Sequence, residues 1–399
     1  MSEAVLAPRV NARMLIFFGL ALTAMGQTVL FAVLGPVGRD IGLSEVQVGA
    51  IISASAIMVV LASPPWGRAS DRLGRKRVLV FSVAGFAVTS ALFAALLGVG
   101  LAGQLQGMAA FGALIAARVT YAASIAGGQP AAAGFIADTT TPEERSGAMA
   151  IIGAAFGIGA ILGPAMAFVF GGLGVLAPLF AIAGVGAVWA LVMALFLREP
   201  ERQGDPENQA RLSPLDPRLA PLLAGTVLVF TAISMVQQTV AFYVQDLFAL
   251  TAADTARRTG LLIAALAAAN LAAFIAVARL KPAPHRLLIP GALVAALGIA
   301  LLLVPLGLPG LFAAHILMGL GFGGFIPGAQ TQGSLAVDAG QQGAVGGLVS
   351  AAMAGGFITG PLLGTALYGL TPEAAYLTAA ALTALGGVLA ARSRRGQLY

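Results

Sequence analysis

The sequence predicts an all-α integral membrane protein, twelve transmembrane helices in two pseudo-symmetric six-helix bundles. Three observations lead there. Of the 399 residues, 59% are hydrophobic and 10% charged, with a mean hydropathy of +0.93, whereas a soluble domain carries about 25% charged residues. Apolar runs of about 20 residues, each able to cross about 30 Å of hydrocarbon, recur from end to end of the chain. The basic residues between those runs gather on one side. Backbone polar groups in lipid must be satisfied internally, and unbroken apolar runs lack the alternation of barrel strands, so the runs are helices.

The runs predict spans at 12–36, 46–66, 78–98, 107–136, 146–171, 174–197, 218–246, 258–279, 286–305, 309–335, 343–369 and 372–392. The first begins just after Arg9 and Arg13 and is too long for the apolar segment of a cleavable signal. Of the 22 Lys and Arg, 18 fall in one set of loops, only Arg39, Arg257 and Arg258 in the other, and Arg118 inside a span. The positive-inside rule then places both termini and the middle loop in the cytoplasm, with the helices in a bacterial inner membrane. The same loops account for the net charge of +6, so no nucleic-acid partner is inferred. With no cysteine, disulfides, thiolate metal sites and cysteine nucleophiles are excluded. No metal-ligand cluster or nucleophile–base pair lies in the spans, so no enzyme, metal or cofactor is expected.

The polar stretch 198–217, rich in Pro, Glu, Arg and Gln, reads as a cytoplasmic linker between bundles at 1–197 and 218–399. An internal repeat supports the division. Arg118 corresponds to His315, Pro130 to Pro327 and Gly163-Pro164 to Gly360-Pro361, all at an offset of 197. Gln27-Thr28-Val29 corresponds to Gln238-Thr239-Val240, and Gly49 to Gly260, at an offset of 211. Repeated halves around a midplane site are a transporter architecture.

The loop expected after the second span carries Gly67, Asp71, Arg72, Gly74, Arg75 and Lys76. It resembles the loop 2–3 signature of the major facilitator superfamily, Gly-x-x-x-Asp-Arg-x-Gly-Arg-Lys/Arg. The resemblance implies a latch between conformational states, with Asp71 facing the amides near Gly343 and Ala344 and Arg75 pairing with Asp138. The stretch from Asp138 to Arg145 resembles the family's loop 4–5 and joins the latch, while Thr141, before Pro142, Glu143 and Glu144, also reads as a helix N-cap. The second half keeps Asp338 but only a degenerate echo of the basic loop, from Arg279 to Arg286.

Helix 5 carries Gly153, Gly157, Gly159, Gly163 and Pro164, a spacing that permits close helix packing. It resembles the antiporter signature Gly-x-x-x-Gly-Pro, here Gly159 to Pro164, although Ala167-Phe168 stands near the family's following glycine pair. The whole chain is most similar to the twelve-helix drug:proton antiporter branch, which includes the tetracycline exporters. Arg118 matches that family's helix 4 arginine, with Tyr121-Ala122 in place of the usual Gln-Gly. A charge at bilayer depth faces a polar interior. A role in cavity electrostatics or coupling is therefore expected, beside a purely structural bond to carbonyls.

Every Asp and Glu falls in a loop or at a helix end, so the cavity potential should be neutral to positive, favouring neutral or anionic cargo. His315 is the one mid-span group that ordinarily titrates near neutrality. With Arg118 it is the expected coupling pair, with the helix-end carboxylates Asp40, Asp246, Asp138 and Asp338 as competitors. Among polar residues in or near spans (Gln27, Gln129, Gln237, Gln238, Asn270, Gln330 and Gln332), the repeat mates Gln27 and Gln238 are the leading cavity candidates. Tyr121, Tyr243 and Phe325 accompany them. The expectation is a monomeric, lipid-embedded exporter exchanging small amphiphilic molecules for protons. An uptake symporter or facilitator on the same fold, or a non-transporting receptor, are the rivals.

Overall fold

The computed structural model describes residues 11–201, 212–338 and 341–393, with side chains throughout except at 142–147, 150 and 285. The first half contains α1 (Ala12–Asp40), α2 (Glu45–Leu73), α3 (Arg75–Leu101), α4 (Gly107–Asp138), α5 (Pro142–Phe170) and α6 (Ala177–Phe196). The second contains α7 (Ala220–Phe248), α8 (Ala252–Leu280), α9 (His285–Leu301), α10 (Gly307–Leu335), α11 (Gln342–Tyr368) and α12 (Pro372–Ala391). Helix α4 is broken at Ala126-Gly127, where Gly107–Ile125 meets Gly128–Asp138. Among the described residues 11 spans have membrane length and apolarity, and α9, at 17 residues, is the short one. No strand occurs among the described residues. This is a multi-pass membrane protein.

Several helices outrun the apolar runs that announced them. Helix α8 begins at Ala252, not 258, because Thr251 caps it by accepting from the Asp254 amide at 3.2 Å. Ser44 and Gln47 form a capping box at the start of α2. Hydropathy marks the edge of the hydrocarbon, whereas cap chemistry marks the end of the helix. At Thr141 the expected cap bond does not form, and Pro142 at the first helical position starts α5 instead. The largest correction concerns the Gly67–Lys76 stretch, predicted as a loop. Helix α2 runs through it to Leu73, and only Gly74, at φ +107°, separates it from α3.

The repeat is visible in packing. Helices α1 to α6 pack chiefly on one another, as do α7 to α12. Thr28 of α1 donates to the Gly159 carbonyl of α5 at 3.1 Å. Ser234 of α7 donates to the Gly356 carbonyl of α11 at 2.8 Å, and Gly356 follows Gly159 by the same 197 residues. A Cβ at Gly163 would overlap Thr28, and one at Gly360 would overlap Ser234. Each half therefore locks its first helix to its fifth through glycines too small to keep the backbones apart.

The halves meet through α2 on α11, α5 on α8, and α1 on α7 and α8. Two of these contacts are repeat mates. A Cβ at Gly49 would lie 2.6 Å from the Pro361 carbonyl oxygen, and one at Gly260 2.5 Å from that of Pro164. Both lie toward the end of the bundle that carries Arg39 and Asp246. At the opposite end, nothing stands within 4 Å of a Cβ built at Gly343, Gly346 or Gly347 at the start of α11.

Candidate functional site

Between the halves lies a cavity of about 620 Å³, within the range of pockets that hold drug-sized ligands. Its walls come from α1 to α6 and from α7, α8, α10 and α11. Phe31, Phe156, Phe230, Phe274, Phe322 and Phe357 supply aromatic surface, and Gln27, Gln129, Gln237 and Asn270 supply amides, with Ser55 and Ser63 nearby. Among the described residues, no ionisable side chain lines it. The α5 glycines divide by face. Gly153 and Gly157 line the cavity with open space before them, whereas Gly159 and Gly163 press on α1.

Of the six predicted cavity residues, Gln27 lines the space. Arg118 and Tyr121 stand behind it, 2% and 1% exposed. The Arg118 guanidinium donates through Nη2 to Gln27 Oε1 and stacks 3.9 Å from the centre of the Tyr121 ring. Its Nε has no hydrogen-bond partner, and no carboxylate pairs with it among the described residues. A buried cation compensated by one amide and one ring face lacks a countercharge.

The remaining three lie elsewhere. Gln238 is 1% exposed, and its neighbour Gln237 takes the cavity position, in line with Phe230 and Ile233. Tyr243 turns away to donate to the Leu302 carbonyl at 2.6 Å. Phe325 is wholly buried, while Phe322 and Ile326 face the cavity. One helical residue is 100° of rotation, so a repeat offset locates the right turn and misses the face. His315 is also off the cavity, 1% exposed, with Nδ1 2.7 Å from its own helix's Leu311 carbonyl and Nε2 without a partner.

At one end of the bundle, Arg75 gathers the predicted latch. It meets Asp71 at 2.5 Å, Asp138 at 3.1 Å and Ser70 Oγ at 2.8 Å. Its guanidinium lies across Gly134, where a Cβ would approach Nε to 2.6 Å. Asp71, expected at the start of α11, is instead held on Arg75 with its side chain 59% exposed. Gly67 and Arg72 sit in the last turns of α2, and Arg145 has a side chain outside the described set. The sequence reading missed Glu199. Its carboxylate accepts from the Arg75 and Lys76 amides at 2.5 and 3.1 Å, capping α3 from across the half. Gly74 serves it twice, by its positive φ and by the absence of a Cβ that would lie 2.8 Å from the carboxylate.

The opposite end carries a network that the sequence did not announce. Arg39 of α1 binds Glu45 at 2.7 Å and, across the halves, Asp246 of α7 at 2.5 Å and Gln245 at 3.3 Å. Tyr368 of α11 donates to Asp246 at 2.7 Å, and Arg39 lies 4.7 Å over the Phe242 ring. This cluster ties the two halves together at that end.

The Major Facilitator Superfamily model matches residues 16–308. The chain is 31% identical to the class G tetracycline resistance protein of Vibrio anguillarum over 88% of its own length and 89% of that protein's. It is also 31% identical to Multidrug resistance protein 1 of Bacillus subtilis, over 48% of this chain and 45% of that one. In fold it is similar to a bacterial homologue of the human lysosomal transporter Spinster, inward-facing and unoccupied, with TM-score 0.75, 18% identity and 98% of each chain covered. These relatives are transporters and not enzymes. A cavity between two repeated six-helix halves, a glycine-bounded Asp-Arg signature on α2, and a family match across nearly three-quarters of the sequence agree on one conclusion, that the chain belongs to the Major Facilitator Superfamily.

Proposed function

We propose that the protein is a secondary active exporter, moving a small amphiphilic organic molecule, neutral or anionic, across a bacterial inner membrane in exchange for protons. The observation that carries this reading is the cavity, apolar and amide-lined, with no ionisable side chain and no countercharge for the Arg118 behind it among the described residues. A cationic drug would need a carboxylate to offset its charge in this weakly screening interior. An anionic group replacing Gln27 at Arg118 would supply what Arg118 lacks. Similarity to tetracycline resistance proteins along almost the whole length supports export as the direction.

The basic loops favour an orientation with the Asp71 end in the cytoplasm. The conformation is then inward-open, with the Arg39–Asp246–Tyr368 cluster as the outer gate. Coupling needs a titratable group at a contact that breaks as the cavity alternates. Asp246, held across the halves by Arg39 and by Tyr368, meets that need better than the buried His315. Protonating Asp246 abolishes its ion pair with Arg39, so acid outside favours opening outward.

Proteoliposomes with an imposed pH gradient and a charge-diverse panel test the reading. Gradient-driven accumulation of neutral or anionic amphiphiles is expected, and robust ethidium pumping would contradict the cargo assignment. Asp246→Asn should lose uphill accumulation and keep passive exchange. If Asp246→Asn still pumps and His315→Gln does not, the coupling proton belongs to His315.

A further inference from the structure

A second recess, also about 620 Å³, opens beside the α2–α3 junction and is lined by Leu73, Gly74, Lys76, Arg77, Leu195, Leu197, Arg198 and Glu199. It holds three cations and one carboxylate. That carboxylate is already committed, because Glu199 accepts from the Arg75 and Lys76 amides. Lys76, Arg77 and Arg198 form no ion pair among the described residues. Three cations around a recess with its one acid turned to a helix end leave an excess of positive charge.

The position of the recess selects the anion. Leu73 and Leu195 are 54% and 66% exposed at its rim, and Phe196 beside them is 55% exposed. These are exposed apolar surfaces at the ends of α2 and α6. An anion held here therefore has hydrocarbon directly adjacent on one side and water on the other. Basic pockets between spanning helices at the cytoplasmic face suit anionic lipid headgroups, whose acyl chains then lie along the apolar flank. A soluble phosphate would gain the charge and leave the apolar rim uncovered.

We propose that this recess is a binding site for an anionic phospholipid, with the headgroup phosphate held by Lys76, Arg77 and Arg198 and the acyl chains on Leu73, Leu195 and Phe196. The site lies on the junction that carries the Asp71–Arg75 cluster, so lipid occupancy bears on the same helix ends that move during transport. Assignment to the inner leaflet rests on the orientation proposed above, while headgroup binding does not.

Native mass spectrometry of the full chain, released from detergent with added phosphatidylglycerol or phosphatidylcholine, reads the site without any transport assay. The wild type should retain phosphatidylglycerol. The triple variant Lys76→Gln/Arg77→Gln/Arg198→Gln should retain it about tenfold less or weaker still, with phosphatidylcholine unchanged. The charge-keeping variant Lys76→Arg/Arg77→Lys/Arg198→Lys controls for folding and should bind as the wild type does. Equal phosphatidylglycerol retention by the Gln variant would overturn the proposal. Displacement of the lipid by equimolar glycerol phosphate would also overturn it, and assign the recess to a soluble anion.

Discussion

Arg118 and Arg75 show how differently one side chain behaves with and without a countercharge. Arg75 is 18% exposed and divides its donors among Asp71, Asp138 and Ser70. Arg75→Ala would strand Asp138, whose side chain is 11% exposed, and charged hydrogen bonds of this kind contribute about 1.5–3 kcal/mol. The melting temperature in detergent should fall accordingly, while substrate still binds. Among the described residues, Arg118 has only Gln27 and the Tyr121 ring. Arg118→Gln should therefore cost little stability and lower kcat/KM for anionic cargo by about tenfold to a hundredfold, leaving neutral cargo less affected. Equal losses for both cargo classes would make Arg118 a structural residue. The Arg75–Asp138 pair was legible only through the resemblance of the α2–α3 stretch to the family's loop signature, which implies it. Glu199 was not, because a carboxylate in a polar stretch gives no sign of which helix end it will cap.

Helix α5 turns one glycine-rich sequence into two surfaces. At Gly163 an added methyl would overlap Thr28 and come within 2.6 Å of the Met25 carbonyl oxygen, whereas at Gly157 it meets nothing within 4 Å. Gly163→Ala should therefore destabilise the α1–α5 contact by about 1–3 kcal/mol, as overpacked sites do. Gly157→Ala should leave the melting temperature unchanged and alter only affinity for bulky cargo. Similar losses of thermal stability in both variants would contradict this division of faces. At α3 the helix-end carboxylate can be tested alone. Glu199→Ala removes an anion from a helix N-terminus and should cost about 0.5–2 kcal/mol, measurable as a lower melting temperature in detergent.

For the molecule as a whole, the two ends are in opposite conditions. Gly49 on Pro361 and Gly260 on Pro164 bring the halves together toward the Arg39 end, while the start of α11 is uncovered at the other. Alternating access predicts that these conditions exchange. Spin labels at Val46 and Leu370, and at Arg68 and Gly346, report the two ends. Asp246→Asn should lengthen the first distance and shorten the second. Two distances that fail to change in opposite directions would contradict a rocking motion of the halves.

The sequence by itself determined that the chain spans a membrane, how many times, and that its halves are repeats. Each follows from amounts and spacings along the chain, namely apolar run length, charge by loop, and residue offset. Only the tertiary structure decided which residues face the cavity. Gln237 is there and Gln238 is not, and Phe322 and Ile326 take the place expected of Phe325. The reason is physical. A helix in water shows its inner face by its apolar stripe, but a spanning helix is apolar toward lipid and core alike, and the signal that would orient it is lost. Partners distant in sequence, such as Glu199 with α3 and Arg39 with Asp246, become neighbours only when the helices pack.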